Sequence, residues 1–290
     1  MTNNDSKSMV RNVSDTARWV ACFRAQETLR ADRVFADPFA ERLAGERGFE
    51  IARTLPDGEK HEWAWVARTY LFDQFVAREV SKGAELVVNL AAGLDARPYR
   101  MELPETLQWV EVDFPEVIAY KEDILRDEKP KCELERFAVD LSNESDRRRL
   151  FDDLDMRKRR TAVVSEGLLI YFAPEEVITL AKDLFDRKNF GSWIIDLASQ
   201  GQLRLMQQTT GKTLSEAGAA FKFGPAEGPN FFGPAGWNTQ DVQGLLKTAA
   251  MLKRAPKELL SLLPEPANRY GMYPWTGVCL LERTQAGPGR

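Results

Sequence analysis

The chain has 290 residues, 43% hydrophobic and 29% charged, a balance that specifies a globular protein with a sizeable core and excludes disorder. Its net charge of −4, from 40 Lys+Arg against 44 Asp+Glu, supplies no global field toward nucleic acid or an anionic membrane. Without an apolar stretch long enough to span a bilayer, with a polar start (MTNNDSKSM), and with Cys22, Cys132 and Cys279 too far apart for a disulfide framework or a Cys-rich metal site, it reads as soluble and cytoplasmic.

After a polar arm over residues 1–13, Ser14-Asp15-Thr16 offers a helix N-cap, and Ala17, Val20, Ala21 and Leu29 carry helical spacing through Asp15–Arg30. Asp37-Pro38 opens a short helix to about Gly45, and a longer one runs from His61 to Lys82 on the repeat of Trp63, Val66, Tyr70, Phe75 and Val76. Residues 1–83 are thus expected to form an arm and a helical lid ahead of a core over 84–290 that carries an insertion at about 200–237, the whole being one structural domain.

The core opens with Leu86, Val87, Val88 and Leu90, a continuous apolar run that suits a parallel strand buried on both faces. Further strands are predicted at Leu107–Val112, Leu134–Val139, Thr161–Ser165, Gly191–Ala198 and Trp275–Leu281. Helices are predicted between them, opened by Pro115, Asn143 and Pro174, and later at Gln200–Phe223 and Asn238–Met251. Gly224–Gly236, rich in Gly and Pro, reads as an irregular insertion. Strands and helices alternating in this way imply right-handed βαβ units and a parallel sheet, hence an α/β, doubly wound fold.

Candidate ligand groups recur where such sheets bind ligands, at the carboxyl ends of strands: Gly93 in the turn Ala91-Ala92-Gly93-Leu94-Asp95, then Asp113, Asp140 and Glu166. Any one of the three acids alone would read as a helix cap or loop acid; together with Gly93, after four successive strands, they read as a ribose-binding crevice. A dinucleotide requires a glycine-rich pyrophosphate cradle, and this turn has one Gly and an acid that would repel phosphate. A cationic ribose-bearing cofactor, S-adenosylmethionine, suits several carboxylates better. An NAD(P)-dependent oxidoreductase and a cofactor-binding protein without catalysis remain the alternatives.

Several motifs, kept in order over about Val10–Arg283, resemble the leucine carboxyl methyltransferase family, and most closely its bacterial branch of S-adenosylmethionine-dependent methyltransferases, which includes polyketide carboxyl methylases. They are Val88–Arg100 (VNLAAGLDARPYR), Glu111–Val117 (EVDFPEV), Ser165–Tyr171 (SEGLLIY), and upstream Ser14-Asp15-Thr16-Ala17, Asp37-Pro38-Phe39-Ala40 and Arg68–Asp73. The resemblance implies a class I, Rossmann-like fold with a mostly parallel seven-stranded sheet. It implies that Arg68 holds the cofactor's methionine carboxylate, Gly93 lies against its methionine and ribose, and Asp113 takes the ribose hydroxyls. Asp140 with the backbone of Leu141 would face adenine, and Glu166 the amino group or the reacting centre. Ala91 departs from the family's Gly-Ala-Gly.

The expected reaction is O-methylation of a small-molecule carboxylate or hydroxyl. A carboxylate acceptor needs no base, whereas a hydroxyl does. Glu166 and Tyr171 are the catalytic candidates, with Asp196 also near the crevice, and His61, the single histidine, reads as a surface residue at a helix start. No metal-ligand spacing is present. Trp19, Phe23, Phe231, Phe232, Trp237, Tyr273 and Trp275 read first as packing and second as the lining of an apolar acceptor pocket. The basic runs Arg147–Arg149 and Arg157–Arg160 alternate with aspartates and read as a solvated face, not as a nucleic-acid site.

Overall fold

The computed structural model of the chain describes residues 13–54, 61–209 and 220–284. Three helices lead: α1 (Val13–Leu29), α2 (Ala40–Thr54) and α3 (Glu62–Ser81). The alternating core follows as β1 (Leu86–Leu90), α4 (Arg97–Arg100), β2 (Gln108–Asp113), α5 (Pro115–Leu125), β3 (Glu133–Ala138), α6 (Glu144–Asp155), β4 (Thr161–Ser165), α7 (Pro174–Phe185) and β5 (Phe190–Ala198). After α8 (Gln200–Gln208) come β6 (Trp237–Gly244), α9 (Leu245–Met251) and β7 (Thr276–Arg283).

The sheet has seven strands in the order β3-β2-β1-β4-β5-β7-β6, parallel except that β7 runs antiparallel to both neighbours. Strand alternation divides the core between the two faces. Val87, Trp109, Val164, Ile194 and Leu280 pack with Ala67, Leu71, Phe72 and Phe75 of α3 and with Leu245 and Ala249 of α9. Val88, Val110, Val163, Trp193 and Leu281 face Leu150 and Phe151 of α6 and Val177, Leu180 and Leu184 of α7. Burial on both faces explains the predominantly apolar sequences of β1 and β4, interrupted in β1 only by Asn89. A third cluster joins Trp19, Phe23, Leu43 and Ile51 of the leading helices to Leu94, Tyr99, Leu203 and Phe221, so this helical unit is packed onto the ligand edge of the sheet.

Several expectations need correction. The second helix does not stop at Gly45: the chain kinks there, with φ 56° and ψ 178°, a conformation that suits a residue without a Cβ, and then continues to Thr54. Trp237–Gly244, expected to begin a helix, is the strand β6. Its polar residues lie on a sheet-edge strand whose pairing with β7 shifts register between Thr239 and Asp241, and its anchor is Trp237, whose Nε1 donates to Ala181 O at 2.9 Å. The helix expected over Gln200–Phe223 ends at Gln208; residues 220–223 are irregular, and residues 210–219 lie outside those described, as do residues 1–12 of the expected polar arm. Among the described residues, no helix is long and apolar enough to cross a membrane.

Candidate functional site

The carboxyl ends of β1, β2, β4 and β5 open into a cavity of about 1330 Å³. α1 contributes Trp19 and Arg24 to its lining, the start of α3 contributes Trp63 and Trp65, and Leu245, Leu259 and Leu262 complete its apolar part. Arg68, Gly93, Asp113, Asp140, Leu141, Glu166 and Tyr171 all line this single space.

The turn after β1 is held to the end of β2 by Asp113. Its Oδ2 accepts Gly93 N–H at 2.6 Å and its Oδ1 accepts Phe114 N–H at 2.7 Å. Burial pushes the Asp113 carboxyl above its ordinary value, against the pull of these two donors. Each oxygen keeps a lone pair for a further hydrogen bond. Gly93 adopts φ +50°, a left-handed conformation that glycine takes at no steric cost. Ala91, in the same turn, adopts φ 52° despite its Cβ, so it carries strain that a glycine there would relieve.

Behind the turn lies a buried network centred on Arg97, only 2% exposed. Its Nε donates to Asp73 Oδ1 at 2.7 Å, and its Nη1 lies 2.9 Å from both Asp95 Oδ2 and Glu166 Oε2. Arg100 adds two bonds to Asp73, at 2.7 and 2.6 Å. Burial opposes charge on Arg97, but Asp95, Glu166 and Asp73 hold it firmly protonated. Burial likewise opposes ionisation of Asp95, and Arg97, Lys121 and Arg100 outweigh it, depressing that carboxyl to about 2. Asn89 Nδ2 also donates to Asp95, at 2.8 Å. The acid read from the sequence as repelling phosphate is therefore an ionised strut that shapes the turn.

Glu166 is held from two sides, by Arg97 at Oε2 and by Arg68, whose Nε donates to Oε1 at 3.1 Å. Arg68 reaches on to Asp196 Oδ2 at 3.3 Å and stacks over Trp65, 4.5 Å from the ring centroid. Asp196 also accepts Gly167 N–H at 2.7 Å, and burial pushes its carboxyl up. Tyr171, on a 3-10 turn over Leu169–Tyr171, has its phenol pushed up by burial, and its ring lies 5.7 Å from that of Phe221.

Asp140 is exposed, and its Oδ1 accepts from both the N–H (2.9 Å) and the hydroxyl (2.7 Å) of Ser142, an Asx turn at the cavity edge. The Leu141 carbonyl is fixed by Arg147 Nη1 at 2.7 Å. Arg147 is therefore not on a solvated face: it is buried and paired with Asp183. The second run, Arg157–Arg160, behaves as surface charge, with Arg157 on Glu135 and Arg159 on Glu85.

Of the seven aromatics weighed from sequence, Trp19, Tyr273 and Trp275 line the cavity. Phe232 and Trp237 instead pack at steep angles against Trp193, with centroids at 5.3 and 5.8 Å, in the core against the sheet. His61 sits at the start of α3, exposed, on the cavity rim. Sequence reasoning passed over Arg97 and Trp65 as site residues. Arg97 lay inside a recognised motif but has no apolar or strand-end signal of its own, and Trp65 was indistinguishable from a packing residue of a helix.

Residues 17–185 match the leucine carboxyl methyltransferase family. A Mycobacterium marinum protein named "Putative S-adenosyl-L-methionine-dependent methyltransferase" is 33% identical over 197 residues, covering 63% of this chain and 64% of that protein. A protein of the same name from Saccharopolyspora erythraea is 34% identical over 202 residues, 67% of this chain and 70% of that one. The chain thus spans 64% of the length of the first of these relatives, just under two thirds. In fold it is similar to the crystal structure of a DUF574 family protein from Streptomyces avermitilis, with a TM-score of 0.59 at 10% identity over 91% of this chain and 96% of that one. Topology, ordered motifs and a family match over more than half its length agree: the chain belongs to the leucine carboxyl methyltransferase family.

Proposed function

We propose that this protein is an S-adenosylmethionine-dependent methyltransferase that methylates an oxygen of a small, largely apolar molecule. The carrying observation is the convergence of Arg68, Gly93, Asp113, Asp140, Leu141 and Glu166 on one cavity whose strand-end groups are mostly carboxylates. Such a charge balance suits a cationic sulfonium and opposes a pyrophosphate. The volume of about 1330 Å³ exceeds the ~300–1,000 Å³ of a one-ligand pocket, which leaves room for an acceptor beside the cofactor. The names carried by the bacterial relatives support the same reading.

The donor set fits the cofactor group by group. Arg68 offers a guanidinium fork to the methionine carboxylate, and Glu166 a carboxylate to its amino group. The remaining lone pairs of Asp113 suit two ribose hydroxyls, with the bare Cα of Gly93 beside them. The Asp140-Leu141 turn, braced by Arg147, would meet the adenine. Bound there, S-adenosylmethionine supplies an electrophilic methyl group. The protein's own part is alignment and exclusion of water: the leading helices would act as the lid, contributing Trp19 and Trp65 to the cavity lining, and the core from residue 84 onward as the platform.

Methyl-labelled S-adenosylmethionine, incubated with the protein and a panel of apolar carboxylic acids and phenols, tests this directly. Label is expected in an acceptor product; mild alkali then releases methanol from an ester and leaves an aryl ether intact. Turnover of the label into no oxygen acceptor, with transfer to amines or thiols instead, would contradict O-methylation.

A further inference from the structure

Arg68 divides itself between two carboxylates that differ in what else holds them. Glu166 keeps Arg97 at 2.9 Å whatever Arg68 does. Asp196 faces Arg68 from α3, Glu166 and Tyr171 from the segment after β4, and Cys279 from β7, so among the described groups Arg68 is its one paired cation. That contact is also the longer of the two, 3.3 Å against 3.1 Å. Asp196 is fixed by the Gly167 N–H at 2.7 Å, lines the cavity, and stands near the Tyr171–Phe221 aromatic pair.

We propose that Asp196 is the proton acceptor for a hydroxyl-bearing methyl acceptor, and that Arg68 controls it by leaving Asp196 when it engages a ligand carboxylate. The inference rests on the methyltransferase reading and narrows its acceptor to a hydroxyl. The hydroxyl oxygen bonds to the methyl carbon as that carbon's bond to sulfur breaks. The bonding pair stays on sulfur, the sulfonium becomes a neutral thioether, and the hydroxyl proton passes to a carboxylate oxygen of Asp196 and on to solvent. Losing a cationic neighbour favours the protonated carboxyl, and burial already acts in that direction. A carboxylate whose proton affinity is brought toward the working pH is the better base. Glu166, clamped by two guanidinium groups, suits a holding role, and the buried Tyr171 phenol is raised away from the range in which it would accept a proton.

S-adenosylhomocysteine binding, measured calorimetrically at about pH 6 in buffers of different ionisation enthalpy, tests the coupling without turnover. The native protein is expected to take up a fraction of a proton on binding. Asp196→Asn keeps an acceptor for the Gly167 N–H; it should bind within about threefold of native affinity and take up none. Equal uptake in both proteins, or uptake lost in Tyr171→Phe, overturns the role of Asp196 while leaving the methyltransferase reading in place. Should Asp196→Asn fail to fold, carbon NMR of labelled aspartates in the native protein replaces it. One carboxyl should titrate higher by about one unit when S-adenosylhomocysteine is added, and no such shift overturns the proposal. Failure of the native protein to bind S-adenosylhomocysteine removes both readings together.

Discussion

Asp95 follows β1 and Asp196 lies near the end of β5, and both line the same cavity, yet their surroundings drive them apart. Asp95 is surrounded by Arg97, Lys121 and Arg100 and is depressed to about 2; Asp196 has the shared contact of Arg68 and is raised by burial. Two carboxylates on one rim are thus given different work by the count of cations around them: one is a strut, the other is poised to exchange a proton. The division follows the fold. The β1 side is bolted to α3 through Arg97 and Arg100, whereas the β5 side depends on an arginine that a ligand can claim.

The sharpest way to break this comparison is to remove the bolt. Arg97→Ala leaves Asp73, Asp95 and Glu166 without their shared cation, and such uncompensated buried charge costs ~3–5 kcal/mol. Denaturant unfolding should show that loss, with Asp196→Asn costing no more than ~1 kcal/mol; equal losses would erase the distinction between the two sides. Next in size, Asp113→Ala removes two acceptors facing the ribose position and releases the Gly93 turn. Titration should show S-adenosylhomocysteine affinity falling by about 100-fold, or ~3 kcal/mol. Near-native affinity in a folded variant would mean that Asp113 serves the turn alone.

A smaller effect separates the two acids by pH. The folded Asp95 carboxyl lies at about 2, below its ordinary 3.8, so its contribution is complete above the ordinary value and is lost as pH falls from there toward 2. The difference corresponds to about 2 kcal/mol. Unfolding followed over that interval should show a shallower loss in Asp95→Asn than in the native protein. Asp196 carries the opposite sign: its raised carboxyl opposes folding when ionised, so its cost grows as pH rises through the carboxylate range. The smallest effect is local. Ala91→Gly relieves the left-handed strain at φ 52° but loosens the unfolded chain, for a net gain of up to ~1 kcal/mol in melting experiments.

What could be read from the residues alone follows from where their neighbours lie. β1, β2 and β4 were visible because both faces of each are buried and their sequences are apolar apart from the buried Asn89 in β1, Glu111 in β2 and the polar residues at strand ends. β6 was hidden because it is an edge strand: Asn238, Thr239, Gln240 and Asp241 carry no strand signal, and its identity is conferred by pairing with β7. Asp113 and Asp140 stood out as acids at strand ends, whereas Arg68 sits inside a helix and was visible only through a family motif. The bridging done by Arg97 joins Asp73, Asp95 and Glu166, which are far apart in sequence, so no local spacing could announce it. Arg147 was misread for the same reason: its partner Asp183 belongs to α7, beyond the reach of charge patterning along α6.

The central claim, that this crevice holds a cationic nucleoside cofactor in place of a dinucleotide, is tested most directly by thermal unfolding with each ligand in turn. S-adenosylmethionine or S-adenosylhomocysteine at about 100 times its dissociation constant should stabilise the protein by ~2.7 kcal/mol, with NAD(H) leaving the transition unmoved. Stabilisation by NAD(H) alone would contradict the account.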